Sequence, residues 1–194
     1  MRKSIVAAVA AMTLAVLLFP QASHAGGGPK DHLGIFLRLT AGGMYASSGD
    51  DDIDVSGIGG DFTFALGGCV SENVALHGTI FSWSLSDPDV EIDGLGEGEL
   101  NGSYGMSAYG AGMTYYFMPA NVYLSGSLGV GFLSIDTDIG DETSDAGFAM
   151  DLSVAKEWWV GNSWGLGLAG VFGFHSIEEA TGYEVGVRFS ATFN

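Results

Sequence analysis

The stretch VYLSGSLGVGF, from Val122 to Phe132, alternates between a mainly apolar set of residues and a set of mainly small ones. Its even-numbered positions are Val, Leu, Gly, Leu, Val and Phe, whereas its odd-numbered positions are Tyr, Ser, Ser, Gly and Gly. Such alternation is typical of a β-strand, because successive side chains of a strand point to opposite faces. The stretch therefore predicts a strand with one apolar face and one face of small residues.

The same pattern recurs along the chain. Trp164–Gly173 and Tyr183–Phe193 alternate as clearly, and weaker segments of the same kind cover 33–46, 58–69, 74–85, 103–117 and 147–158. All eight are long enough for a tilted strand to cross a bilayer, which takes about 9 to 11 residues. No segment after residue 25 has the roughly 18 consecutive apolar residues of a spanning helix, so only a closed sheet could cross a membrane.

The connections between these segments alternate in length. Three are short, at 70–73, 118–121 and 159–163, and four are longer and mostly acidic, at 47–57, 86–102, 134–146 and 176–182. Short turns on one side and long loops on the other are typical of outer-membrane barrels. We therefore predict an all-β fold: an eight-stranded antiparallel up-and-down transmembrane β-barrel with three short periplasmic turns and four longer acidic extracellular loops.

The minority face of the strands indicates which side of the barrel meets water. A soluble, lipocalin-like ligand-binding barrel is the alternative, and its outer face would usually carry many Lys, Arg and Glu residues. Here the minority face is mostly Gly, Ser, Ala and Thr, which suits the narrow interior of an eight-stranded barrel. The large apolar residues are therefore predicted to face lipid.

The N-terminus carries the pattern of a secretory signal peptide. Arg2 and Lys3 precede an apolar run at 5–19, and Ser23-His24-Ala25 places small residues where a signal peptidase cleaves. An uncleaved anchor helix is the alternative, but the run is short for one. We predict export to the cell outer membrane of a Gram-negative envelope, with residues 1–25 a cleaved signal peptide, 26–32 a flexible mature N-terminus and 33–194 the barrel.

The charge of the mature chain excludes one class of partner. All 23 acidic residues follow the signal peptide, whereas only Lys30, Arg38, Lys156 and Arg188 are basic there. A domain this acidic is not expected to bind nucleic acid. The single cysteine, Cys69, cannot form an internal disulfide, and no motif indicates a cofactor.

Aromatic residues gather near the predicted strand ends, where two girdles would lie at the membrane interfaces. They are Tyr115, Tyr116, Phe117, Trp158, Trp159, Trp164 and Phe193 on the short-turn side and Tyr45, Phe81, Trp83, Tyr104, Phe132, Phe174 and Tyr183 at the other rim. With the alternating, aromatic-terminated last strand Tyr183–Phe193, the mature chain resembles the small outer-membrane barrels of the OmpA-like and opacity-protein type. The resemblance implies membrane lipid and the barrel-assembly machinery as partners, the latter through the C-terminal strand.

No arrangement of residues predicts an enzyme. His175 and Ser176 are adjacent, and adjacent residues of a strand point to opposite faces, so they cannot act together. His77 has no Ser or Cys close to it in sequence and is expected to be a hydrogen-bonded residue of the lumen or the rim.

The acidic loops raise the possibility of divalent cation binding. Asp50, Asp52 and Asp54 place carboxylates at alternate positions, as part of a calcium-binding loop does. However, Val55 stands where the tight turn of such a loop needs Gly, and no helices flank the segment. A solvated surface is the simpler interpretation. The weak candidate ligands are Asp50, Asp52, Asp54, Asp89, Glu91, Asp93, Asp136 and Asp138.

A charge network is predicted inside the barrel. Arg38 on the first strand and Arg188 on the last should be neighbours when the sheet closes, and buried charges need partners. The candidate partners are Asp61, Asp151 and Glu184. We interpret this network as a structural filling of the lumen, which leaves no wide channel. The expected function is therefore a structural or surface-interaction role through the acidic loops. A small porin-like conduit for ions or solutes is the alternative.

Overall fold

The computed structural model describes His32 and residues 34–94, 96–137 and 140–193 of the chain. The expected signal peptide, 1–25, lies outside the described residues, as does the expected flexible N-terminus apart from His32. Asp138, one of the candidate metal ligands, lies outside them too. No helix in the described part of the chain is long and apolar enough to cross a membrane.

The regular structure consists of β-strands. In chain order they are β1 (Gly34–Gly49), β2 (Ile53–Ser71), β3 (Val74–Ser86), β4 (Asp89–Ile92), β5 (Gly96–Glu99), β6 (Gly102–Phe117), β7 (Val122–Thr137), β8 (Gly140–Thr143), β9 (Gly147–Trp159), β10 (Trp164–Ile177) and β11 (Ala180–Phe193). Eight of them are long and form the wall of the barrel. The short strands β4, β5 and β8 extend the sheet at one end.

The wall closes because β1 pairs with both β2 and β11. The seam between the first and last strands runs antiparallel, from Leu37 opposite Phe193 to Gly49 opposite Thr181. Each of the long strands from β2 to β10 pairs with the long strand before it and the long strand after it in the chain. The predicted eight-stranded antiparallel up-and-down barrel is therefore confirmed.

The two ends of the barrel differ in their connections. At one end the strands are joined by the three short turns expected from the sequence, at 72–73, 118–121 and 160–163. At the other end, two of the four connections predicted as long loops are tight turns instead. The β1–β2 and β10–β11 connections are tight, at 50–52 and 178–179, and much of the other two is the β4–β5 hairpin and β8. Apolar and polar residues alternate at 53–56 and at 89–92, so strand structure continues into these acidic segments.

The two faces of the wall are divided as the alternation predicts. On β7 the side chains of Tyr123, Ser125 and Ser127 are buried, whereas Leu124 and Leu128 are exposed. The same division places large apolar residues of the other strands on the outer surface, among them Leu39, Leu66, Leu76, Ile80, Met113, Leu168, Phe172 and Phe189. The outer wall is therefore an apolar belt around a lumen lined by small and polar residues.

Four of the aromatic residues assigned to the interfacial girdles lie in the lumen instead. Phe81, Trp83, Tyr104 and Tyr116 are buried, and Trp83 packs edge-on against Tyr104 at 5.6 Å. Their positions in the alternation are those of the inward face, so the pattern of each strand decides their direction and nearness to a strand end does not. Tyr115, Phe117 and Trp164 of the assigned residues are exposed on the outer wall.

The lumen is filled in layers along the barrel axis. One apolar cluster, which includes Phe81, Trp83 and Leu85, lies toward the end with the short strands, and a second, which includes Phe36 and Tyr116, lies toward the short turns. On β9 the order Ala149, Asp151, Ala155 runs from the first cluster to the second, so a charged layer separates them.

Candidate functional site

The charged layer of the lumen is centred on Arg188. Its Nε donates a hydrogen bond to Asp61 Oδ2 at 2.5 Å, its Nη1 to Asp151 Oδ2 at 2.6 Å, and its Nη2 to Glu184 Oε1 at 3.3 Å. These four buried side chains, here called the Arg188 cluster, come from β2, β9 and β11. Three carboxylates share one guanidinium, so the cluster is negatively charged when all of them are ionised.

Two oxygens of the Arg188 cluster have no hydrogen-bond partner among the described residues. They are Asp61 Oδ1 and Glu184 Oε2, on side chains that are almost completely buried. A buried carboxylate oxygen without a partner is costly, because it has lost its hydration. The cluster is therefore held together mainly by Arg188.

A glycine on the neighbouring strand makes room for Glu184. Gly173 of β10 lies opposite Glu184 in the pairing with β11. A Cβ atom at Gly173 would lie 2.4 Å from Glu184 Oε1 and 2.6 Å from its Cγ. Only glycine therefore leaves space for this carboxylate inside the barrel.

Arg38 forms a separate group nearer the short turns. Its Nε donates to Thr192 Oγ1 at 3.1 Å and its Nη2 to Tyr116 Oη at 2.7 Å. Its guanidinium lies 3.6 Å from the ring centre of Tyr123, which gives a cation–π contact. The carboxylate partner is Glu157, with Oε1 4.0 Å from Nε.

This arrangement differs from the predicted single network. Arg38 lies opposite Thr192, and Arg188 lies opposite Gly42, so the two arginines are offset along the seam and have different carboxylate partners. The register of closure decides this offset. Glu157 was missed, although it shares its inward position in the alternation with Asp151 on the same strand.

A hydroxyl network fills the space between the two arginine groups. His77 contacts Thr79 Oγ1 at 2.7 Å through Nδ1 and Thr114 Oγ1 at 3.1 Å through Nε2, and the hydroxyl of Ser127 donates to that of Thr79 at 3.1 Å. The cavity enclosed between Arg38, Arg188 and these residues has a volume of about 10 Å³, room for roughly one water molecule. The lumen is closed at this level.

A third polar group closes the lumen near the short strands. His175 and Ser176 do point to opposite faces, but His175 Nε2 lies 2.9 Å from the hydroxyl of Ser48, which also contacts Tyr104 Oη at 2.9 Å. A Ser–His hydrogen bond is part of the geometry of a nucleophile and its base. Ser48 and His175 are each only 1% exposed, so this contact joins β1 to β10 inside the barrel and is closed to a substrate.

The candidate metal ligands lie at the end of the barrel that carries the short strands. The described ones are all exposed. Asp50 and Asp52 lie in the β1–β2 turn, Asp54 on β2, Asp89 and Glu91 on β4, Asp93 just after β4, and Asp136 on β7. In the described part of the chain, no three His, Cys, Asp or Glu side chains are arranged to hold a metal ion.

Asp50 has a local structural role in its turn. Its Oδ1 accepts hydrogen bonds from the backbone N–H groups of Asp52 and Ile53, both at 2.8 Å. These bonds stabilise the ionised carboxylate and lower the pKa of Asp50 below its usual value of 3.8. The carboxylate therefore stabilises the tight hairpin turn, as Asp often does.

The other carboxylates form one acidic face of a small sheet. β4 pairs with the start of β2, and β5 pairs with β4. In this register Asp54, Glu91 and Glu97 stand side by side across the three strands, and Asp89 and Glu99 stand side by side in the next row. All five are exposed, and we call this surface the acidic face. Glu97 and Glu99 were not among the candidates, because the hairpin that brings them to this face was not predicted.

The comparisons with known proteins concern the fold. The sequence matches no protein-family model and no curated protein sequence. The structure is similar to that of Neisserial surface protein A, with a TM-score of 0.57 and 12% identity over 82% of this chain and 96% of that one. It is also similar to Ail, the attachment invasion locus protein of Yersinia pestis, solved in complex with the heparin analogue sucrose octasulfate. There the TM-score is 0.52 and the identity 10%, over 83% of this chain and 100% of that one. The chain therefore has the fold of the small eight-stranded outer-membrane β-barrels.

Proposed function

We propose that the chain spans the outer membrane and acts as a surface-interaction protein through its acidic outer end. The observation that carries the proposal is the combination of an apolar outer wall, a closed lumen and an exposed acidic face on one molecule. The apolar belt needs a lipid environment, because an exposed apolar surface of this extent is rare on a soluble monomer.

The direction of insertion follows from the two ends of the barrel. The end with the three short turns faces the periplasm, which is the usual arrangement of bacterial outer-membrane barrels. The acidic face then lies outside the cell, above the belt. Its apolar reverse side includes Val55, which packs against the apolar cluster at this end of the lumen. This contact joins the acidic face to the packed interior of the barrel.

The acidic face favours an interaction role over simple solubility. Like charges directly opposite one another on neighbouring strands destabilise a sheet. Asp54 faces Glu91, Glu91 faces Glu97, and Asp89 faces Glu99, so this sheet carries the repulsion three times. Cationic groups near the face relieve the repulsion, and we expect divalent cations to gather there diffusely.

The closed lumen argues against a conduit. Arg38, Arg188 and their partners occupy the interior, and the cavity between them is no larger than about one water molecule. The Ser48–His175 contact is buried where a substrate cannot reach it, so we propose no catalytic role for this pair. For assembly, the strand Tyr183–Phe193 would present its alternating, aromatic-terminated pattern to the barrel-assembly machinery.

Fractionation with a heat-modifiability assay tests the proposal. Cells that express the full chain are fractionated, and the outer membrane is compared by gel electrophoresis with and without boiling. We expect the protein in the outer membrane, with a mobility that changes on boiling because the closed barrel resists detergent. Recovery in the soluble periplasm would overturn the membrane assignment, and steady conductance in planar bilayers would replace the interaction role with a conduit.

A further inference from the structure

The acidic face ends in an open strand edge. β5 is the last strand of its sheet, paired on one side with β4, and no strand among the described residues pairs with its other side. An edge strand presents unpaired N–H and C=O groups, on which an extended segment of another chain can add as a further strand.

The charges around this edge restrict what can add to it. Glu97 and Glu99 lie two residues apart on β5 and therefore point to the same side, where Glu91 and Asp89 stand behind them on β4. The strand segments that form this small sheet contain no Lys or Arg residue. A strand that pairs with β5 must therefore place its same-side residues opposite carboxylates, at alternate positions.

The reverse side of β5 restricts the residues in between. Gly96 and Gly98 alternate with Glu97 and Glu99, so β5 has no side chains on its reverse side. Ile92 and Val90 of β4 lie opposite these two glycines. Bulky residues of an added strand would find open space there, since a Cβ atom at Gly96 or Gly98 meets no other atom within 4 Å.

We propose that the open edge of β5 binds an extended cationic segment of another protein as an added strand, with Lys or Arg alternating with apolar residues. The basic side chains face the acidic face, and the apolar ones cover the glycine side of β5. Neighbouring strands lie about 4.8 Å apart, so a lysine opposite Glu97 also reaches toward Glu91, which lies in the same row on the next strand. This inference rests on the proposed function, because it needs the acidic face to lie outside the membrane.

Binding of synthetic peptides to the full chain, refolded in zwitterionic phospholipid vesicles, tests the inference. The probe is a short, labelled peptide that alternates Lys with Val. One comparison peptide has the same composition with its lysines contiguous, and a second has the alternating sequence with backbone N-methyl groups that remove the hydrogen-bond donors of one edge. We expect the alternating peptide to bind at least about tenfold more tightly than either, since contiguous lysines cannot all face the same side of a strand and N-methyl groups remove several hydrogen bonds.

Matched protein variants locate the binding edge. E97Q/E99Q removes two charges from β5, and the control D141N/E142Q removes two from β8, whose residues are also exposed. We expect about a tenfold loss of binding for the first variant and little change for the control, because only the first removes the carboxylates that the added strand would face. Bound peptide should also slow amide exchange in Gly96–Glu99.

Two results would overturn the inference. Equal binding of the N-methylated peptide would show attraction by charge alone, and equal losses in the two variants would show that no particular edge is used. The heat-modifiable band, measured on the same vesicles, distinguishes a failure of peptide binding from a failure of membrane insertion. A barrel that inserts but does not bind the peptide would contradict only the proposal of an added strand. A chain that does not insert would contradict the proposed function.

Discussion

Replacement of Arg188 by Met tests whether this one side chain holds the interior of the barrel together. Met keeps much of the length and removes the charge, so Asp61, Asp151 and Glu184 lose their only cationic partner in the cluster. Breaking a buried ion pair by removal of one partner costs about 3 to 5 kcal/mol. We therefore expect Arg188→Met to lower the free energy of unfolding by about 4 kcal/mol, roughly a thousandfold in the folding equilibrium.

The assay is reversible unfolding by urea in lipid vesicles, followed by tryptophan fluorescence and by the heat-modifiable band. With a slope of about 2 kcal/mol per molar urea, the expected loss moves the midpoint down by about 2 M. A second variant separates loss of charge balance from loss of packing. Addition of Asp61→Asn and Glu184→Gln to Arg188→Met removes two uncompensated charges and should recover a large part of the stability.

Arg38→Met serves as the comparison in the same lumen. Arg38 has one carboxylate partner, and Glu157 also accepts hydrogen bonds from Ser190 and Thr192 at 3.0 and 2.5 Å. We expect a smaller loss than for Arg188→Met. If Arg188→Met unfolds at the urea concentration of the parent protein, or if the triple variant is no more stable than the single one, the assigned role of the Arg188 cluster is wrong.

Three further perturbations test the membrane wall, the lumen packing and the outer turn. Leu168→Arg should destabilise the inserted barrel by about 2 to 4 kcal/mol, because Leu168 lies midway along the apolar belt. Ile53→Arg, on a residue exposed to the same degree (41% against 39%) but beyond the belt, should change the unfolding midpoint little, and equal effects would contradict the lipid assignment. Gly173→Ala should lower the free energy of unfolding by about 1 to 3 kcal/mol because its methyl group crowds Glu184. In a protein that already carries Glu184→Ala, the same substitution should cause no such loss. The hydrogen bonds from the Asp52 and Ile53 amides to Asp50 lower the pKa of that carboxyl, so they stabilise the turn at neutral pH and are lost as the pH falls below 3.8. The Ile53 amide resonance should follow this titration in NMR spectra, and a midpoint at or above 3.8 would contradict the contact.

Some features of the site could be read from the alternation once the fold was known. Asp61, Asp151, Glu184 and Arg188 all occupy inward positions of their strands, and the structure brings them together. Inward position is a local property, because each strand repeats every two residues. The partner of Arg38 could not be read in this way. Its contact with Glu157 joins residues on strands β1 and β9, and it depends on the register in which the last strand pairs with the first.

The outer end shows the same division. The acidic composition of the segment from Asp87 to Glu99 is plain in the sequence, but its organisation as a hairpin paired with β2 is not. Short strands with Gly and Glu have low intrinsic β-propensity, so they form here because a sheet edge is already present to pair with them. Pairing with that edge places Asp54, Glu91 and Glu97 side by side.

By itself, the sequence of this protein determined the number of long strands, their order and the face that each residue occupies. These follow from alternation and from the lengths of the short turns, which are encoded within a few neighbouring residues. Only the tertiary structure decided which inward residues meet and which carboxylates form the acidic face. Those contacts depend on the register between strands that are distant in sequence, and closure of the barrel establishes that register for all eight strands together.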